Sequence, residues 1–335
     1  MTYERPGLNP KRMVNLMYEA IARLRLDLSG AIVLTEAASG AYVVTPILAA
    51  MAGADQVFAI SRTTKYGAFE EISDNTNRLA ISVGVAPRIK VIARKTLEVV
   101  GQADIITNSG HVRPIDAEMI SWMKPGAIIP LMYEAWEFRD TDLDLEACRK
   151  RGIRVAGTNE RHPAVDVFSF LGDMSIKLLL DMGIALSHSR VLALCDNDFA
   201  AFIERGLTGA GVNVMIHESL RQAPSDSHFD AIIVALKPQT GPVITAADAA
   251  IIARRWPGTP LAQFWGDVDR SALQAEGVSV WPPSPPAPGH MAILLSDVGP
   301  EPVVRLQCGG LKVGEALLRS AGGELGTDKE FLDVL

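Results

Sequence analysis

Between residues 31 and 157 the chain alternates short apolar runs with longer amphipathic stretches. The runs at 31–34, 57–60, 89–93, 105–107, 127–132 and 153–157 are continuously hydrophobic rather than alternating. That pattern predicts strands buried on both faces. Helices are predicted between them at 42–51, 70–83, 116–123 and 144–151, the third closed by the stop signal Lys124-Pro125-Gly126. Strands alternating with helices of about ten residues make βα units, and right-handed crossovers put the helices on both faces of a parallel sheet. A long apolar helix is predicted at 165–182, followed by a Gly/Ser/His loop at 183–189. The rhythm then restarts, with strands at 191–195, 212–216, 229–236, 261–265 and 278–281 and helices at 198–207, 246–255 and 303–319. The segment 281–289, WPPSPPAPG, is too rich in proline for helix or central strand.

The expected fold is therefore α/β, with two Rossmann-like doubly wound parallel-sheet domains joined by a long bridging helix. The expected boundaries are 1–185, including an amphipathic N-terminal helix within 1–28, and 186–335, including the C-terminal helix. The tail after 321 reads as polar and frayed. A working site is expected in the cleft between the domains.

Composition narrows the partners. A chain of 335 residues with 48% hydrophobic positions can fill two cores. A net charge of −7 gives nucleic acid little electrostatic support. The three cysteines, Cys148, Cys195 and Cys308, show no metal-ligand or disulfide spacing, which suits a reducing cytoplasm and argues against a disulfide framework or a structural zinc site. The N-terminal stretch lacks a signal-peptide core, and no apolar run reaches membrane-spanning length. A soluble cytoplasmic protein is expected, with a homodimer as the default assembly.

Ligands of open parallel sheets bind at the carboxyl ends of the strands. After the first strand come Ser39, Gly40 and Ala41, small residues opening a helix whose backbone N–H groups could receive a phosphate. Only Gly40 of the GxGxxG glycines is present, and the other reading is a helix–sheet packing turn. After the second strand come Ser61, Arg62 and Thr63, with no acidic residue for a ribose diol. Arginine with neutral hydroxyls would instead grip a 2′-phosphate, and the alternative is a solvated polar turn. This turn resembles the NADP-selecting turn of shikimate dehydrogenases, which implies an NADP cofactor across Ser39–Ala41 and Ser61–Thr63.

The segment 103–144, ADIITNSGHVRPIDAEMISWMKPGAIIPLMYEAWEFRDTDLD, is similar to the late Rossmann segment of the adenosylhomocysteinase and D-2-hydroxyacid dehydrogenase superfamily. That resemblance sets Asn108 beside a nicotinamide, with His111 and Arg113 close to substrate. The segment 142–170, DLDLEACRKRGIRVAGTNERHPAVDVFSF, resembles the stretch of D-2-hydroxyacid dehydrogenases that ends the substrate domain and enters the bridging helix. The two likenesses assign the nucleotide to opposite halves. The second half opens with VLALCDNDF, where Asp196 and Asp198 would repel a pyrophosphate, so a cofactor is expected on the first half.

Asn159, Glu160, Arg161 and His162 crowd polar groups between a strand and the bridging helix. Glu160 and His162 suit acid/base work and Arg161 a bidentate carboxylate clamp, while Asn159 also suits substrate binding or a helix cap. His290, aimed by the proline-rich loop, occupies the late position of the hydroxyacid dehydrogenase acid/base, and a surface role is the alternative. Lys237 follows a buried strand and could form a Schiff base or remain solvated. Asp140, Asp142, Asp144 and Glu146 read as a helix start rather than a metal site. The leading expectation is an NADP(H)-linked oxidoreductase acting on a small carboxylate-bearing metabolite. The alternatives are a non-redox metabolite-binding or regulatory protein that has lost the dinucleotide fingerprint, and a lyase or transferase on the same frame.

Overall fold

The structure, a computed structural model, describes residues 5–225, 227–320 and 326–335. It divides into two compact units, Met1–Val167 with Gly299–Leu335, and Phe168–Val298.

In the first unit the apolar runs form Ile32–Glu36 (β1), Gln56–Ile60 (β2), Ile89–Ile92 (β3), Ile105–Ile106 (β4), Ile128–Pro130 (β5) and Arg154–Thr158 (β6). All six are parallel and lie in the order β6-β5-β4-β1-β2-β3. The chain builds outward from β1 to β3, then returns to the other side of β1 to lay down β4, β5 and β6. This 3-2-1-4-5-6 order is the doubly wound Rossmann order, and it places a topological switch point between β1 and β4.

The second unit contains Arg190–Leu194 (β7), Asn213–His217 (β8), Ala231–Ala235 (β9), Leu261–Trp265 (β10) and Val280–Trp281 (β11). Its order is β11-β10-β9-β7-β8, the 2-1-3-4-5 pattern of flavodoxin-like sheets, with its switch point between β7 and β9. The last strand, Leu332–Asp333 (β12), returns to the first unit and pairs antiparallel with β6. The frayed tail expected after 321 is thus corrected over 326–335, because this segment completes the edge of a sheet. Residues 321–325 and 1–4 lie outside the described residues.

The partition differs from the expected 1–185 and 186–335. The helix expected at 165–182 begins only at Phe170, after Pro163 and a left-handed Asp166 at φ 52°, and it ends at Asp181. It belongs to the second unit, where its Leu171, Met174 and Leu178 share a core with Phe199, Ile203, Leu207 and Phe264. Gly172 lets it cross the helix Phe199–Gly209 at Gly206, and a Cβ on Gly172 would lie 2.7 Å from the Gly206 Cα. The C-terminal helix Pro300–Arg319 belongs to the first unit instead. Gly309, Gly310 and Gly314 form the face that meets β4, β5 and β6 and their flanks. A Cβ at Gly310 would lie 2.5 Å from the Met132 sulfur, and one at Gly309 2.9 Å from Val165.

The N-terminal helix appears as expected, over Pro10–Leu24. Asn9 caps it by accepting from the Lys11 N–H at 3.0 Å, and Met13, Met17, Ala20 and Leu24 form its buried stripe. The acidic run at 140–146 does start a helix: Asp144 accepts from the Ala147 N–H at 2.8 Å and caps Leu145–Arg151. Among the described residues no helix is long and apolar enough to cross a membrane.

Candidate functional site

The carboxyl ends of β6, β5, β4, β1 and β2 place the first unit's polar residues along one edge of its sheet. At the switch point, Glu36 ends β1 and is only 8% exposed. Its Oε2 accepts from the backbone N–H of His111 at 3.0 Å, so the carboxylate spans the crevice from β1 to the loop after β4. Behind it lies a buried hydroxyl chain. Thr107 Oγ1 donates to Thr35 at 2.8 Å and shares a 2.5 Å hydrogen bond with Ser109.

The next position along the edge is a positioned phenol. Asn108 donates through Nδ2 to the Tyr133 hydroxyl at 2.7 Å and accepts from Arg113 Nε at 2.9 Å. Arg113 also pairs with Asp142 at 3.3 Å and lies 5.0 Å from the Tyr133 ring centroid. Burial pushes the Tyr133 hydroxyl up to about 12, so it stays a phenol across the neutral range. Lys95 bridges the carbonyls of Val112 and Pro114 at 3.0 and 2.6 Å and stiffens the same loop.

A group of carboxylates follows at the ends of β5 and β6. Glu134 is buried, accepts from the Trp136 indole at 2.7 Å and meets Arg161 Nε at 3.3 Å. Burial raises its pKa. Glu137 is half-buried and is lifted to about 7, by burial first and then by the charge of Glu134. Glu160 is buried and raised well above the carboxylate range by burial, then by Glu137 and Glu134. Asp333 on β12 adjoins them and accepts from the Ala135 N–H at 2.7 Å. Glu134, Glu137 and Glu160 hold protons more tightly than ordinary carboxylates do, and among the described residues no set of side chains could hold a metal ion.

Several expected site residues have structural partners. Asn159 donates to the Glu330 carbonyl at 2.9 Å and accepts from the Arg161 N–H at 3.2 Å, which fastens the C-terminal segment to β6. His162 accepts from the Ala164 N–H through Nδ1 at 3.1 Å, and its ring lies tilted against that of Phe331 with the centroids 4.1 Å apart. Thr63 accepts from the Phe69 N–H at 3.1 Å in an exposed turn. Exposed Arg62 reaches the His111 carbonyl at 3.4 Å. Ser61 Oγ is buried without a hydrogen-bond partner among the described residues. Ser39 and Ala41 flank Gly40, which takes φ 62° at the start of a short 3-10 turn.

Lys237 and His290 belong to the second unit and are exposed. There the turn after β7 is fastened to the loop after β9. Asn197 donates to the Ala235 carbonyl at 2.8 Å, and Asp196 accepts from the Lys237 N–H at 2.9 Å. An open pocket of about 570 Å³ between the ends of β7 and β8 is lined by Asp196, Asp198, His217 and Glu218.

The dinucleotide implied by the sequence resemblance would rest its pyrophosphate on the turn after the first strand at a switch point. In each unit a carboxylate stands there and accepts the backbone N–H of the loop across the crevice, Glu36 in the first and Asp196 in the second. A carboxylate within about 4 Å of a phosphate repels it, most strongly where water is excluded. The residues present do not fit a pyrophosphate at either turn.

Glu36, Tyr133, Glu134, Glu137 and Asp333 were not among the expected site residues. For the first three, position immediately after a buried strand was a readable signal. Asp333 became visible only when β12 docked.

No protein-family model and no curated protein matches the chain. Solved structures do. A dipicolinate synthase polypeptide from Bacillus halodurans aligns with TM-score 0.55 and 12% identity over 88% of this chain and 100% of that one. A dipicolinate synthase polypeptide from Bacillus subtilis aligns at 0.50 and 10%, over 87% and 97%. The NAD-dependent formate dehydrogenase from Staphylococcus aureus, solved in complex with NAD, aligns at 0.50 and 14%, over 85% and 93%. At such identities the likeness is one of fold: the chain has the two-domain Rossmann-type fold seen in these dehydrogenase and dipicolinate synthase structures.

Proposed function

We propose that this protein keeps the oxidoreductase frame but works as a non-redox binder of a small carboxylate-bearing metabolite, at the carboxyl edge of the first unit's sheet. The observation that carries this reading is Glu36, whose buried carboxylate puts negative charge in the crevice a pyrophosphate would need. Asp196 repeats the arrangement in the second unit, which supports loss of the dinucleotide from both. Titration with NADPH and with NADH, followed by nicotinamide fluorescence and thermal shift, is expected to give no response at millimolar concentration. A ligand that bound would raise the melting temperature by mass action.

A second reading, an NADP(H)-linked oxidoreductase, is favoured by one observation. The Ser61 hydroxyl, without a hydrogen-bond partner among the described residues, and the exposed Arg62 adjoin at the end of β2, where a 2′-phosphate would need donors. Saturable NADPH binding that weakens in Arg62→Ala would overturn the non-redox reading in favour of this one.

A further inference from the structure

We infer that the crevice between β1 and β4 takes the ammonium group of an amino-acid-like ligand; the inference rests on the non-redox reading and names the ligand class for the same site. It begins with an imbalance of charge. Glu36 is 8% exposed, and its hydrogen bond from the His111 N–H is the one polar contact made to its carboxylate among the described residues. One amide N–H satisfies one of the two oxygens and does not neutralise the charge. Isolated buried carboxylates are strongly unfavourable unless a cation or further donors complete them.

Apart from Glu160, the other buried carboxylate and ammonium side chains among the described residues have counterions. Lys312 meets Glu315 at 3.2 Å and Asp328 at 3.5 Å, and Glu134 meets Arg161 at 3.3 Å. Glu36 has no ion pair among the described residues, and it lies at the switch point, where open parallel sheets bind their ligands. The charge that a phosphate site would present is inverted here, so the group that completes the crevice is a cationic donor.

The opposite charge is close by. Arg62 Nη2 lies 3.4 Å from the carbonyl of His111, the residue whose N–H binds Glu36. Arg62 forms no ion pair among the described residues, whereas Arg113 is engaged by Asn108 and Asp142 and Arg161 by Glu134. The carboxylate and the guanidinium therefore flank a single residue without neutralising one another. An α-amino acid carries its ammonium and carboxylate on one carbon. Such a ligand can set the ammonium on Glu36 and the carboxylate on Arg62, with each contact a charge-assisted hydrogen bond.

The test compares amino acids with hydroxy acids of the same side chain: alanine with lactate, aspartate with malate, phenylalanine with phenyllactate. Binding is read by calorimetry and thermal shift on the full chain. For at least one pair the amino acid is expected to bind about tenfold or more tightly than its hydroxy counterpart, as loss of one charge-assisted contact implies. Glu36→Gln, which keeps an acceptor for the His111 N–H, is expected to bring the two members close to parity. Arg62→Ala is expected to weaken both. Equal binding of the two members of every pair, or binding of none, would overturn the inference without any variant, and so would a Glu36→Gln protein that keeps the preference. These outcomes leave the non-redox reading standing, since saturable NADPH binding alone removes that one.

Discussion

Gly206→Ala is expected to destabilise the second unit by about 3 kcal/mol, the upper part of the range for overpacked interiors. In the helix Phe199–Gly209 the substitution would by itself help, because alanine is favoured over glycine by roughly 1 kcal/mol in a helix. Packing reverses the sign. The added methyl would be driven into the backbone of Gly172 on the crossing helix, and a methyl on Gly172 would in turn lie 2.7 Å from the Gly206 Cα and 3.1 Å from the Phe202 carbonyl oxygen. Backbone cannot rotate out of the way as a side-chain tip can, so the two helices must separate and loosen the Leu171, Phe199 and Ile203 core. Gly209→Ala in the same helix is the control, because nothing lies within 4 Å of its would-be Cβ. It is expected to be neutral or slightly stabilising. Denaturant unfolding of the two variants measures the difference, and equal midpoints would show that the helices do not cross on these glycines.

Glu160→Gln is expected to raise stability at pH 8 above that of the wild-type protein and to leave stability at pH 5 nearly unchanged. Burial and the charges of Glu137 and Glu134 raise the pKa of Glu160, and burial and Glu134 raise that of Glu137 from 4.5 to about 7. With a folded pKa above the unfolded one, the native state binds more protons than the unfolded chain between those values. Stability is then fully present below pH 4.5 and falls as pH rises through 7. An amide at position 160 cannot ionise, and it removes one of the charges that Glu137 and Glu134 repel. Melting temperatures from pH 5 to pH 8 test this. The wild-type protein should lose stability across the interval and the variant should lose distinctly less. Parallel profiles would mean that the three glutamates do not titrate as a group.

The strands were legible because their evidence is local. Ile-Val-Leu, Val-Phe-Ala-Ile and Ala-Ile-Ile-Val are apolar without interruption, and only a strand covered on both faces has a use for that. Asp144 was legible as a helix start for a similar reason, since a cap acts on N–H groups three residues away. The paired carboxylates were half legible. Asp196 and Asp198 announced that a phosphate would be repelled in the second unit, while Glu36 stood in view at the end of β1 as an ordinary polar residue. Its meaning depended on where the loop after β4 returns, because only the His111 N–H turns it into a bridge across the crevice.

The amino-acid sequence by itself determined the α/β class, the two parallel sheets, most of the helices and the absence of a standard glycine fingerprint. Those follow from periodicity, turn chemistry and capping, which act over a few residues. The tertiary structure alone decided which sheet each flanking helix covers, and so where one unit ends and the other begins. Gly309, Gly310 and Gly314 commit the last helix to the first sheet, and Gly172 commits the expected bridge to the second. It also assembled Glu134, Glu137, Glu160 and Asp333 from three separate segments and set Arg62 and Glu36 on either side of His111. Contacts of that kind join residues tens to hundreds of positions apart, and they arise from strand order and close backbone approach, which no local pattern encodes.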